Sequence, residues 1–222
     1  MKKNIILFIV SFAMFMEAVD TTIINTAIPV MAHSLQVNPL DLKLALISYL
    51  LSLAIFIPVS GWIADKFGIK KVFITAVAVF TLSSIWCGFT QNLWELICAR
   101  IVQGIGGSLT MPVGRLIILR TCERHELINK MSIVVMVASL GLLLGPLLGG
   151  IITDHFSWRW IFLVNIPIGI FCFIISFKYL IENAIEKISG FDYLGLFLSA
   201  SGFVLLFYAN SNERLIWNRN IK

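Results

Sequence analysis

The sequence is poor in charge. Asp, Glu, Lys and Arg make up 13% of its 222 residues, where a soluble domain carries about 25%. Hydrophobic residues make up 59%, more than the core of a soluble chain of this length absorbs. Metal-ligand spacing is missing too. The four cysteines, Cys87, Cys98, Cys122 and Cys172, form no C-x-x-C pair, and His33, His125 and His155 stand at no ligand spacing to them. They read as small buried apolar residues. No run of Lys and Arg is interleaved with aromatics, so the net charge of +5 points to no nucleic-acid partner. Gly104-x-Gly106-Gly107 lacks the full spacing of a phosphate loop and lies inside an apolar block, which argues against a nucleotide. No lysine in the last apolar block would hold a retinal-type cofactor. No Ser/His dyad marks a membrane enzyme. No long linker or low-complexity segment divides the chain.

What the chain has instead is seven apolar blocks, over 4–32, 42–64, 72–89, 93–119, 130–153, 160–180 and 193–209. Each is about as long as the roughly 20 residues that cross a bilayer. Each is apolar nearly all round, as lipid-embedded helices are. The expected fold class is all-α integral membrane, with a six-helix bundle over 1–182 and a linker, seventh helix and short tail over 183–222. The first block follows Lys2-Lys3 and runs through Glu17 and Asp20 to Pro29 without a small-residue cleavage site, so it reads as a retained helix rather than a leader.

The loops alternate in charge. Lys2 and Lys3 precede the first helix. Lys66, Lys70 and Lys71 lie between the second and third. Arg115, Arg120, Arg124 and Lys130 surround the fourth connection, and Lys178 and Lys187 follow the sixth helix. The opposite loops hold little beyond Lys43 and Arg159. This bias places the N-terminus in the cytoplasm. Arg214, Arg219 and Lys222 in the tail oppose the external C-terminus that seven spans imply. A faint echo relates Pro58-x-x-Gly61-x-x-x-Asp65 to Pro146-x-x-Gly149-x-x-x-x-Asp154, as inverted repeats of transporters would; chance explains three matched residues equally well.

Four side chains are out of place in hydrocarbon. Glu17 and Asp20, three residues apart, share a face of the first helix. A charge at the bilayer centre costs roughly 2.5–3.5 kcal/mol on insertion scales, so a carboxyl kept there suits proton exchange against a cationic substrate. The alternative is a neutral acid that bonds a neighbouring helix. Arg100 lies inside the fourth block with Gln103 on the next turn. Its guanidinium stays charged and needs an acceptor, either the carboxyls of the first helix or backbone carbonyls at a helix break. It reads as a tuner of the proton site or as a structural clamp. In the fifth block Gly141, Gly145 and Gly149 form a smooth ridge for close helix contact, and Pro146 removes a backbone donor. Gly68 permits a tight turn between the second and third helices. Asp65 beside it would cap or pair locally, and Lys66, Lys70 and Lys71 would anchor the topology.

Taken together, these segments resemble the major facilitator superfamily, and within it the 14-helix drug:proton antiporters of bacteria. The stretch over 61–71, with Gly61, Asp65, Lys66, Gly68, Lys70 and Lys71, is similar to the superfamily's G-x-L-a-D-r-x-G-r-k loop, with Trp62 replacing a smaller residue. Asp20-x-Thr22-x-x-Asn25-x-Ala27-x-Pro29 resembles the family's helix 1 motif. Arg100 to Gly104 resembles its helix 4 motif, whose arginine is implicated in proton transfer. Gly141 to Gly150, with Gly145, Pro146 and Gly149, resembles the antiporter motif of helix 5. Trp158 to Phe162 with Asn165-x-Pro167-x-Gly169 resembles the start of helix 6, and Phe191 to Gly195 the start of the first extra helix. The resemblance covers about residues 5 to 210 and departs at the end, because the fold has a second six-helix bundle.

It implies the N-terminal half of a proton-coupled multidrug efflux antiporter in a bacterial inner membrane. Asp20, Glu17, Arg100 and Gln103 would couple protons to substrate. The 61–71 loop would lock the cytoplasmic face. The partners would be lipid, hydrophobic or cationic small molecules and a C-terminal half. The proton gradient would supply the energy, with no metal or organic cofactor. Two alternatives stand beside it: a truncated, transport-inactive fragment or accessory subunit, and a metabolite transporter of the same fold.

Overall fold

The computed structural model describes residues 2–181 together with 195, 196, 198, 201 and 202. Apart from those five positions, the expected seventh helix over 193–209 lies outside the described residues, as does most of the motif starting at Phe191. Seven helical elements follow one another: α1 (Lys2–Leu35), α2 (Pro39–Phe67), α3 (Ile69–Phe89), α4 (Leu93–Thr121), α5 (Arg124–His155), α6 (Trp160–Leu163) and α7 (Asn165–Tyr179). Among the described residues, six spans are long and apolar enough to cross a membrane, with α6 and α7 together forming the sixth.

The helices run past the apolar blocks at most ends. α3 begins at Ile69 rather than 72 and α5 at Arg124 rather than 130; α1 continues to Leu35 and α2 to Phe67. An apolar block stops at the first charge, but helical backbone bonds do not, and charged ends sit in the interface with their stems along the helix. Local caps define several ends. The Asn38 side chain accepts the Leu40 N–H at 2.9 Å with Pro39 in the first turn, and Asn92 accepts the Glu95 N–H at 2.9 Å. The helix expected over 160–180 crosses as one span from Trp160 to Tyr179. α6 and α7 adjoin at Val164, whose backbone stays helical (φ −60°, ψ −24°) and whose N–H donates to the Trp160 carbonyl at 3.0 Å. Pro167 has no N–H to give the carbonyl four residues back, which loosens the ladder there. Gly68 joins α2 to α3 at φ 91°, a conformation that costs a residue with Cβ and not glycine.

α1 packs along α5, α4 lies against both α2 and α3, and α7 runs against α1 and α3. Beside a small apolar cluster of Met16, Tyr49 and Phe80, two large ones fill the interior. One gathers Ile6 to Met14 of α1 with the start of α3 and the end of α4. The other gathers Val19 to Ala32 with the starts of α2 and α4 and the α6 turn. The polar side chains of α1 and α4 fall where the two meet.

At one end of the bundle, charged residues tie α1 to the α4–α5 connection. Lys3 Nζ lies 2.9 Å from Glu123 and 3.3 Å from Glu126, and Lys130 Nζ donates to Asn4 at 3.1 Å. The hydrogen bond and charge of Lys3 hold the Glu123 carboxyl below its ordinary range. A carboxyl lowered on folding stabilises the fold above its unfolded value, near 4.3, and loses that contribution as pH falls through the folded value. Because the pair is exposed, the effect is small. The melting temperature of Glu123→Gln should therefore fall less than that of the native chain between pH 7 and pH 3. Identical pH profiles in detergent would show that the pair contributes nothing.

Candidate functional site

Asp20 of α1 and Arg100 of α4 meet inside the bundle. Arg100 Nη1 donates to Asp20 Oδ2 at 2.6 Å, and both side chains have 0% exposure. α1 brings the acid here because Val19, Ile23 and Ile24 around it are core residues. α4 brings the base because its small residues let neighbouring helices close in: a methyl on Gly104 would stand 2.7 Å from the Tyr49 carbonyl oxygen, and one on Gly106 would stand 2.8 Å from the Phe80 nitrogen.

The pair is surrounded by polar and aromatic neighbours from four elements, α2, α3, α4 and α7. Gln103, one turn along α4, accepts from Arg100 Nη1 at 2.7 Å and donates to Asp20 Oδ1 at 2.9 Å. The same Gln103 amide donates to Ser84 of α3 at 2.8 Å. Asn165, the first residue of α7, donates to Asp20 Oδ1 at 2.8 Å. The Arg100 guanidinium lies over the Tyr49 ring of α2, 4.0 Å from its centroid, where the ring face attracts the cation. Arg100 Nε and Nη2 have no acceptor among the described residues. Such a pair is held at a cost. Desolvating two ions removes several kcal/mol each, which only close geometry and added hydrogen bonds offset.

Glu17 stands apart from this network. It is 5% exposed, and its buried Oε2 has no hydrogen-bond partner among the described residues. Its Oε1 and the Tyr49 hydroxyl flank Gly107, at 3.5 and 3.3 Å from where a methyl on that glycine would stand. Thr21 bonds the Glu17 backbone carbonyl at 2.8 Å and leaves the carboxyl alone. The two acids of α1 are thus one engaged carboxylate and one unengaged carboxyl.

The other expected residues are spread along the bundle. Thr22 donates to the Ala18 carbonyl at 3.1 Å and faces Gly145 of α5. Asn25 and Pro29 are exposed. Gly141, Gly145 and Gly149 lie against α1, whereas Gly150, about 100° farther round the helix, has nothing within 4 Å of a would-be methyl. Pro146 lies within α5. Asp65 pairs across to Arg120 at the end of α4, at 3.0 Å. Lys66 lies over the Trp62 ring at 4.3 Å and Lys70 near the Phe177 ring at 5.8 Å; Lys71 is exposed, and Gly61 has open space around it.

Asn165, Tyr49 and Ser84 are the site residues that residue-level reasoning missed. Asn165 carried a usable signal, because a lone amide in an apolar span needs a partner. Tyr49 carried none; an amphipathic ring in a spanning helix is commonplace.

Chemically, the arrangement is an ion pair sealed from water whose acid can be neutralised by a proton and whose base cannot. A family model of the Major Facilitator Superfamily matches residues 10–190. A protein of Citrobacter koseri, named MdtD for multidrug resistance, is 44% identical over 200 residues, 90% of this chain and 42% of that protein. The MdtD of an Enterobacter species is 41% identical over 208 residues, 94% of this chain and 44% of that protein. The chain therefore spans less than half the length of these relatives. A crystal structure of the peptide transporter POT in complex with sulfate superposes with a TM-score of 0.67 over 79% of this chain and 37% of the other, at 16% identity, which is a likeness of fold. With its spanning helices assembled in that fold and residues 10–190 matched, this chain belongs to the Major Facilitator Superfamily.

Proposed function

We propose that the chain forms the N-terminal half of a proton-coupled exporter of hydrophobic or cationic small molecules. It would sit in a bacterial inner membrane with its N-terminus in the cytoplasm. The observation that carries the reading is the Asp20–Arg100 pair, fully buried at 2.6 Å within a bundle of membrane spans. Hydrocarbon tolerates such charges at a cost, and intramembrane ionisable groups mark ion and proton pathways. A proton reaching Asp20 cancels its charge and frees Arg100 from its counter-ion, and the loss of that attraction is a free-energy difference that a conformational change can use. Gln103 and Asn165 hold the carboxyl in place through the exchange. Glu17, buried without a partner, is the acid left to meet a cationic substrate. The proton gradient is the energy source, and no cofactor enters. The lysines around Asp65 support the cytoplasmic assignment. The names of the relatives support the substrate class.

A second reading, that this chain does not transport by itself, is favoured by the exposed apolar faces of α2 and α5. Leu50, Ile57, Leu140, Leu143 and Leu147 among others are uncovered, and transporters of this fold place their site between two halves. Drug susceptibility of a pump-deficient strain tests both. The chain co-expressed with a complementary C-terminal half should raise drug tolerance, and the chain alone should not. Asp20→Asn or collapse of the proton gradient should abolish the gain. Tolerance that survives both changes would refute proton coupling.

A further inference from the structure

A cavity of about 260 Å³ lies at the end of the bundle that carries the Asp65–Arg120 pair, away from the acid–base cluster. Its lining comes from the ends of four helices: Ile6 near the start of α1, Ile69 and Lys70 at the start of α3, Ile117 and Arg120 at the end of α4, and Leu180 and Ile181 just past α7. Helix ends at one face of a membrane bundle stand at headgroup depth. The walls are apolar, with Ile6, Ile69, Ile117 and Leu180 all at most 5% exposed, and the two cations stand among them. Lys3, Lys66, Lys71, Arg115, Arg124 and Lys178 lie within three residues of the lining along the chain, against two acids, Glu123 and Glu182, with Asp65 one residue farther.

We propose that this cavity binds the headgroup of an anionic phospholipid, with Lys70 and Arg120 on the phosphate and the isoleucines against the glycerol and first acyl carbons. Basic pockets between spanning helices on the cytoplasmic side have this affinity. α3 starts at the cavity with no side-chain cap, so its N-terminal N–H groups and roughly half a positive charge add to the attraction. The carbonyl ends of α2, α4 and α7 oppose it by about half a charge each, less than the side-chain cations supply. The size decides against the exported compound. About 260 Å³ lies below the roughly 300–1,000 Å³ of sites for drug-sized ligands. The apolar walls decide against a free hydrated anion, which would lose water there without replacement. Ile181, 69% exposed beside the cations, suits an amphiphile with a tail in lipid. The inference needs only a bundle in a bilayer and is independent of the transport reading.

The test is native mass spectrometry of the 222-residue chain released from nanodiscs holding equal phosphatidylglycerol and phosphatidylcholine of the same acyl chains. Phosphatidylglycerol should be retained about fivefold over phosphatidylcholine for each basic residue engaged, the equivalent of roughly 1 kcal/mol. Lys70→Gln should lower the ratio about fivefold, leaving the preference that Arg120 supplies. Lys71→Gln should leave it within about twofold, because Lys71 lines a different cavity with Lys66 and Phe67. Ile181→Glu, at the exposed mouth, should match Lys70→Gln and covers the case in which the latter loses helicity by circular dichroism. No preference in the native chain would overturn the proposal. So would an equal loss from Lys71→Gln, which means diffuse surface attraction. Displacement of the lipid by excess inorganic phosphate would instead assign the cavity to a water-borne anion.

Discussion

Replacing Arg100 with alanine should destabilise the bundle by about 3–5 kcal/mol, the usual effect of removing one partner of a buried pair. Replacing Asp20 with alanine should cost more. The two changes leave different orphans. Without Arg100, the Asp20 carboxyl keeps the Gln103 and Asn165 amides as donors at 2.9 and 2.8 Å, and it can shed its charge by taking a proton. Without Asp20, the guanidinium keeps only Gln103 Oε1 at 2.7 Å and the Tyr49 ring, and it cannot become neutral. Unfolding of the purified chain in mixed detergent micelles gives both values. The double change to alanine should cost much less than the sum of the singles, because it removes both charges together. Additive single effects would mean that the two residues stabilise the fold independently, and the switch reading would go with them.

Gly149→Ala should destabilise by about 1–3 kcal/mol, the range for an atom forced into a well-packed contact. The neighbouring Gly150→Ala should be neutral or stabilise by up to about 1 kcal/mol, the helix-propensity difference between the two residues. A methyl on Gly149 would stand 2.6 Å from the Ile23 carbonyl oxygen and would also strike the Thr26 hydroxyl. The carbonyl is backbone held in α1, so α5 as a whole has to move outward. A methyl on Gly150 meets nothing within 4 Å. Because the two positions are adjacent and chemically identical, opposite signs in the same unfolding assay isolate the α1–α5 contact from any general effect of glycine replacement. Equal effects at both positions would show that α5 does not depend on close approach to α1.

The glycines show how far local pattern reaches. Spacing alone identifies a ridge at Gly141, Gly145 and Gly149. The partner helix, α1, is a matter of packing, as is the open space beside Gly150. The acid–base cluster divides in the same way. Arg100 inside an apolar span requires an acceptor, and the sequence offers both the helix 1 carboxyls, Asp20 ahead of Glu17, and backbone carbonyls at a helix break. The assembled helices select Asp20 at 2.6 Å and leave Glu17 without a partner, although both acids lie on one helix three residues apart. Asp65 reads locally as a cap of its own turn, yet it reaches Arg120, 55 residues away in the chain. Asn165 reads locally as one amide in an apolar span, yet packing brings it to Asp20, 145 residues away in the chain.

By itself, then, the sequence determined that the chain crosses a membrane, roughly where each described span lies, and that a few polar groups are carried into hydrocarbon. Those properties depend on the free energy of transferring each residue from water to lipid, which is additive along the chain. Tertiary structure alone decided which acid holds the arginine, which amides brace it, and which glycine face is buried. Satisfying a charge without water depends on distances of a few ångströms between helices far apart in the chain, and only their packing sets those distances.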